Sequence, residues 1–141
     1  MNNAAVMPHL KLVPELYCEN IEVTRQFYTE VFGFKVKYEG PEEQFIYFTL
    51  DGVDVMVESI AGVGRRWVTG EMEKPYGRGI NFQWDVINIG AIYERVTRLS
   101  PASIYLSLET KSYQCDDKVA MQQQFVVKDP DGYLFRFCSD C

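Results

Sequence analysis

The sequence predicts an α+β fold made from two copies of one unit, strand–helix–strand–strand–strand. Three observations carry that reading. Asn20 and Asn88 stand 68 positions apart, each directly ahead of an amphipathic stretch, where such a side chain caps a helix. Around each asparagine runs the same succession of short alternating apolar segments, so the chain repeats itself at about half its length. The third observation is the stretch 125–137, FVVKDPDGYLFRF, two apolar runs joined by Asp129-Pro130-Asp131-Gly132. Pro presets φ at the second turn position and Gly relieves the exit, which reads as a hairpin.

Taken in order, residues 10–18 alternate, with Leu10, Leu12, Leu16 and Cys18 on one face and Lys11, Val13, Glu15 and Tyr17 on the other. Pro14 within the run marks an edge position or a missing ladder bond. A helix over 21–32 follows the Asn20 cap and ends at Gly33. Val23, Phe27 and Val31, with Tyr28 and Phe32 beside them, predict its buried side. Strands are expected over 34–39, 45–50 and 53–58, the last two joined by Asp51-Gly52, a strong two-residue hairpin signal. The second unit repeats this with a strand over 79–86, a helix from Ile89 closed by Pro101, a strand in which Ile104, Leu106 and Leu108 alternate with Ser103, Tyr105 and Ser107, and strands over 120–128 and 133–138. The whole chain, 1–141, is one domain, with modules at 10–59 and 79–138 joined by a linker at 60–78. That linker holds Gly62, Gly64, Gly70, Gly77 and Trp67, and reads as a connection or as a lid.

Counting excludes several chemistries. With 47% apolar and 24% charged residues in 141, the chain is globular, and no run approaches membrane-spanning length. A net charge of -6 argues against a nucleic-acid partner, which needs a basic surface, and tilts towards cationic partners. The start has no basic segment followed by an apolar one, and Cys18, Cys115, Cys138 and Cys141 show no CxxC pairing, so reduced thiols in a cytoplasmic protein are expected. His9 is the one histidine, which makes histidine-rich metal sites and Ser-His-Asp or Cys-His chemistry hard to build.

Each module's strands have an apolar face for their own helix and a mixed polar and aromatic face. Opposed mixed faces would line a cleft carrying Val13, Glu15, Tyr17, Phe45, Tyr47, Asp54, Met56, Glu58, Asn81, Gln83, Asp85, Leu134 and Arg136, with Trp67 from the linker. Residues 122–125 fit either orientation. Acids, amides and aromatics converging on one concavity are the signature of a small-molecule site.

The doubled pattern, the helix ending QFYTEVFGF and the terminal DPDGYLFRF together resemble the vicinal oxygen chelate superfamily of glyoxalases, extradiol dioxygenases, fosfomycin-modifying enzymes and bleomycin resistance proteins, over residues 10–138. The resemblance implies two βαβββ modules forming a vicinal oxygen chelate fold with a central cleft. Metal-dependent members carry ligands on the first, fifth and last strands. Matched by the caps and the DPDG turn, those positions here are Val13, Asn81 and Arg136, with Glu58 near a fourth. A valine cannot ligate, a neutral amide is poor, and a guanidinium repels a cation. No metal, no cofactor and no catalytic residue are therefore expected.

The run WVTGEMEKPYGRGINFQ (67–83) and the DPDGYLFRF ending are similar to the bleomycin resistance branch. That likeness implies a homodimer whose clefts are lined by both chains and which holds a drug without turning it over. The expected function is metal-free sequestration of a cationic aromatic antibiotic of the bleomycin type. Its ligand residues would be Phe45, Tyr47, Asp54, Met56, Glu58, Trp67, Asn81, Gln83, Asp85 and Arg136: acids for the charge, aromatic faces for stacking and cation–π contact. The rival readings are a metal-dependent lyase, isomerase or dioxygenase of the same fold, and a non-catalytic ligand sensor.

Overall fold

Asn20, two residues past the first strand, starts the first helix. Its side-chain oxygen accepts from the amides of Glu22 and Val23, satisfying two donors that helix geometry leaves orphaned, a cap contributing about 1 kcal/mol. The computed structural model describes residues 12–140, so Leu10, Lys11, His9 and Cys141 lie outside the described residues. The first strand is β1 (Glu15–Cys18). Its ladder is extended by the Met56 amide donating to the Pro14 carbonyl.

Helix α1 runs Ile21–Gln26 and continues as a wider, π-type turn over Phe27–Val31, with the Phe32 amide reaching back five residues to Phe27. That widening rotates the buried face. Thr24, Tyr28, Val31 and Phe32 are buried, Phe27 is half-buried and Val23 is exposed. The four-residue repeat through Val23 thus gave the helix but misplaced the start of its buried stripe, because an i+4 count assumes 3.6 residues per turn throughout.

Strands β2 (Lys35–Gly40), β3 (Phe45–Leu50) and β4 (Val53–Ser59) complete the first sheet, ordered β1-β4-β3-β2 with β1 parallel to β4. Asp51 and Gly52 have φ of 45° and 86°, the two positive values that a tight hairpin turn demands. The second unit repeats the plan. Its elements are β5 (Asn81–Asp85), α2 (Ile89–Leu99, capped by Asn88 onto the Ala91 amide), β6 (Ile104–Cys115), β7 (Lys118–Lys128) and β8 (Leu134–Asp140), in sheet order β5-β8-β7-β6. β6 and β7 are about twice the length of their first-module counterparts and turn at Asp116 and Asp117, leaving a hairpin arm whose far half is exposed. No helix among the described residues is long and apolar enough to cross a membrane.

Aromatic packing sets how the modules sit. Tyr28 on α1 packs on Phe48 of the first sheet with ring centres 5.1 Å apart, and also meets Phe135 of the second sheet at 5.9 Å. Phe32 lies 4.8 Å from Phe135 and 5.7 Å from Trp84, and Phe34 lies 4.8 Å from Trp84. Both sheets therefore turn their apolar faces towards the same helix, and one core serves both modules. Fully burying each such ring contributes about 1.5–3 kcal/mol. Arg95 of α2 adds a polar tie, donating to the carbonyls of Val31 and Phe32 where the first helix ends.

The DPDG turn is the second tie between modules. One Asp129 oxygen accepts from the amides of Asp131, Gly132 and Tyr133, and the other accepts from the Tyr28 hydroxyl at 2.6 Å. Burial nevertheless pushes the Asp129 carboxyl up to about 6, against the pull of those donors. Asp131 accepts from the Glu19 amide and the Thr24 hydroxyl. Tyr133 satisfies the edge of β1, its hydroxyl accepting from the Tyr17 amide at 3.2 Å and donating to the Tyr17 carbonyl at 2.8 Å. A Cβ at Gly132, where φ is 113°, would lie 2.5 Å from the Pro75 side chain, so the linker can close on this turn only over a glycine.

Candidate functional site

Strand alternation decides which side chains share a surface, because residues paired across a ladder point the same way. In the first sheet, Leu16, Val57 and Ile46 pair in a row that faces the core. The neighbouring rows face outward: Glu15, Met56, Tyr47 and Tyr38 form one, and Tyr17, Glu58 and Phe45 the next. Asp54 pairs with Thr49 on the same side. Five expected site residues of the first module thus share one outer face, Phe45, Tyr47, Asp54, Met56 and Glu58, with Trp67 of the linker at its margin.

That face is already internally bonded. Tyr38 stacks on Tyr47 at 4.9 Å, Phe45 lies 6.0 Å from Tyr38, and Lys37 sits 5.0 Å over the Tyr47 ring. The Tyr47 hydroxyl donates to Asp54 at 2.6 Å, which pushes the phenol up to about 12 and keeps it a donor. Thr49 donates to the other Asp54 oxygen. Glu58, 7% exposed, is paired with Arg66 at 3.3 Å. The same guanidinium donates to the carbonyls of Ser59, Ile60, Gly62 and Gly64 and lies 5.7 Å over the Tyr17 ring. The start of the linker is thus wrapped round one arginine and held down over Glu58. Glu15 has its acid range raised, first by burial and then by Glu58.

Trp67 is 67% exposed, with the Arg65 guanidinium 4.3 Å over its ring. Its amide donates to the Tyr17 hydroxyl. Glu15, Tyr17 and Trp67 help line a groove of about 470 Å³ beside β1, together with Met72, Tyr76 and Ile80. Neither Tyr38 nor Arg66 stands out in the sequence. The signal for Tyr38 was its place opposite Tyr47 across a short hairpin; the bulge between Val36 and Tyr38 hid it from simple alternation.

In the second sheet Phe135, Phe137, Phe125 and Val127 face the core. Outward rows run Val126, Arg136, Gln83 and then Gln124, Cys138, Asp85. Arg136 donates to Gln83 at 3.0 Å and Gln83 donates to Asp85 at 3.0 Å. Asn81 lies at the exposed end of β5, paired with Leu134. Gln122 and Gln124 therefore point outward and Gln123 and Phe125 inward. Leu106 pairs with Val126 on the outer side, displaced from Ile104 and Leu108 by a bulge, which corrects the simple alternation expected for that strand.

The sequence placed all these residues around one cleft, but one chain brings only Asp54 and Gln83 of them together, in a pocket of about 220 Å³ between the modules that Phe82 and Trp84 also line. Because both apolar faces close on the shared core, each mixed face is turned away from that core. The others stay apart: Phe45, Tyr47, Met56, Glu58 and Trp67 lie on or beside the first sheet, and Asn81, Asp85 and Arg136 on the second.

The residues at the family's ligand positions do not fit a metal. Val13 is apolar, Asn81 is a neutral amide, and Arg136 points a guanidinium along the face to Gln83. Among the described residues no group of three His, Cys, Asp or Glu side chains could hold an ion.

A family model described as the Glyoxalase/Bleomycin resistance protein/Dioxygenase superfamily matches residues 7–137. The chain belongs to that superfamily. A superfamily member from Vibrio splendidus 12B01 is 53% identical, over 90% of this chain and 95% of its own, with a TM-score of 0.45. TioX from Micromonospora sp. ML1 shares the fold at a TM-score of 0.70 with 19% identity, covering 94% of this chain and all of TioX. A glyoxalase/bleomycin resistance protein/dioxygenase from Alicyclobacillus acidocaldarius does so at 0.64 and 14% identity, covering 92% and 89%. No curated protein matches the chain.

Proposed function

We propose that this protein is a metal-free binding protein for a cationic aromatic small molecule of the bleomycin type, held in clefts that two copies of the chain build together. The observation that carries the reading is the outward aim of both mixed faces. A face of stacked Tyr38 and Tyr47 beside Asp54 and Glu15 is half a site, and the amide–guanidinium face of Asn81, Gln83 and Arg136 is its complement on another chain. Packing the first-module face of one chain on the second-module face of its partner yields two equal clefts about one twofold axis. Tyrosine faces take up a flat heteroaromatic by stacking and its positive charge by cation–π attraction, while the acids add long-range attraction.

Arg136 supports binding rather than metal chemistry, since it puts a fixed positive charge where metal-dependent relatives have a ligand. Superfamily membership is shared by enzymes and binders alike, so the choice rests on these residues and not on the fold. Tryptophan fluorescence at low salt tests the drug class, because Trp67 is exposed beside the first face and Trp84 is sealed in the core. Bleomycin is expected to quench Trp67 saturably, with two sites per dimer by sedimentation. A monomer without saturable quenching would sink the proposal.

A further inference from the structure

The arm formed by β6 and β7 carries a side-chain cluster on the outer side of the second sheet. Glu109 pairs with Gln124, which pairs in turn with Cys138, and Cys138 with Asp85. Glu109 therefore stands in the same transverse row as Asp85, one row from Arg136. A bulge between Leu106 and Glu109 inserts an extra residue just before it, the device by which strands re-aim a side chain beside a functional site.

Gln124 is 7% exposed, yet it alternates with the core-facing Phe125 and so points to the outer side. Both ends of its amide are used: the nitrogen donates to Glu109 at 2.8 Å, and the oxygen accepts from the Tyr113 hydroxyl at 3.1 Å. A buried amide bonded at both ends has one orientation, so it fixes the carboxylate and the phenol. Among the described residues no cation lies within ion-pair distance of Glu109. By contrast, Glu58 is already matched by Arg66 and Asp54 by two hydroxyls. Tyr113, 38% exposed, presents part of its ring alongside.

We propose that Glu109 and Tyr113 form a recognition corner for an amidine, guanidine or protonated amine borne on an aromatic ligand, with Gln124 as the positioning residue. The carboxylate takes a charge-assisted hydrogen bond and the phenol ring takes the flat edge of the ligand. This rests on the reading that the outer faces bind ligand, and it assigns the cationic end of that ligand to the arm.

Benzamidine is the probe, with neutral benzamide as its control, read by amide NMR on the full-length chain. Benzamidine is expected to shift the Gln124 side-chain amide, and Glu109→Gln to weaken it by about tenfold or more. Tyr113→Phe, which leaves every backbone group in place, is expected to cost a few-fold. Gln124→Met is expected to abolish the preference for benzamidine over benzamide while the backbone spectrum stays native, an effect that a merely structural role would not produce. An unmoved Gln124 amide, or undiminished binding by Glu109→Gln or Tyr113→Phe, overturns the corner. Bleomycin separates the two claims. If the wild-type and Glu109→Gln chains bind it equally, the corner falls and the sequestration reading stands. If benzamidine behaves as expected and bleomycin does not bind, the corner stands and the drug class falls.

Discussion

Replacing Tyr133 by Phe removes one oxygen and keeps the ring that packs against Gly77 and Tyr76. That oxygen is bonded in both senses to β1, accepting from the Tyr17 amide and donating to the Tyr17 carbonyl. Both backbone groups are buried, and Tyr133 itself is 7% exposed, so water does not readily replace the hydroxyl. A buried donor or acceptor left unpaired costs about 1–3 kcal/mol. Two such groups, partly relaxed, give an expected loss of about 2–4 kcal/mol. Urea unfolding followed by tryptophan fluorescence reads this directly, as a lower midpoint with an unchanged slope. Cys18 and Ser59 next to the site are already sealed, so no alternative partner is at hand. A loss under about 0.5 kcal/mol would refute the claim that Tyr133 seals the β1 edge and ties the modules.

Asp129 predicts a pH dependence. Its folded pKa, about 6, lies above the ordinary 3.8, so between those values the native state holds more protons than the unfolded chain. Stability contributed by this group is therefore present below about pH 4 and lost as pH rises to about 6, at most about 3 kcal/mol. Asp129→Asn keeps an oxygen for the three amides and is expected to flatten that slope in chemical unfolding from pH 4 to 7; an unchanged slope contradicts it. Arg66→Met removes the charge facing Glu58 and the donors to the carbonyls of Ser59, Ile60, Gly62 and Gly64. Faster amide exchange over residues 60–66 is expected while the β3–β4 ladder stays protected, and equal exchange would show that the arginine does not hold the linker. Elemental analysis of untagged protein is expected to find no stoichiometric zinc, iron, nickel or manganese, and a bound equivalent would mean that Arg136 is not where a ligand should be.

The doubled module, its two asparagine caps, the Asp51-Gly52 turn and the DPDG hairpin were legible because each depends on a few local residues with strong conformational preferences. Where the chain departs from ideal periods, alternation misled. The π-type turn displaced Val23 from the buried stripe, and bulges hid the outward aim of Tyr38 and Leu106. For the strands that carry the expected site residues, parity agrees with the rows turned away from the core, although Leu12, expected on the same face as Leu16, is exposed. Parity could not say how the two modules sit against each other, because the packing of Phe32 and Phe34 against Trp84 and Phe135 is a relation between modules that local spacing does not contain. Counting charge also overstated the acids on offer. Glu58 and Asp54 are satisfied within the chain, whereas Glu109, in a strand whose length was underestimated, carries no matching cation among the described residues.

The two-chain cleft is tested most directly by mixing two impaired variants, Tyr47→Ala in the first module and Arg136→Ala in the second. If each cleft joins faces from different chains, every mixed dimer has one doubly altered cleft and one intact cleft. A 1:1 mixture exchanged to equilibrium is then expected to recover about a quarter of the wild-type bleomycin sites, a count set by random pairing in a twofold dimer. If the cleft belonged to a single chain, no mixture could restore it. Recovery near a quarter supports the account, and a mixture that binds no better than its components contradicts it.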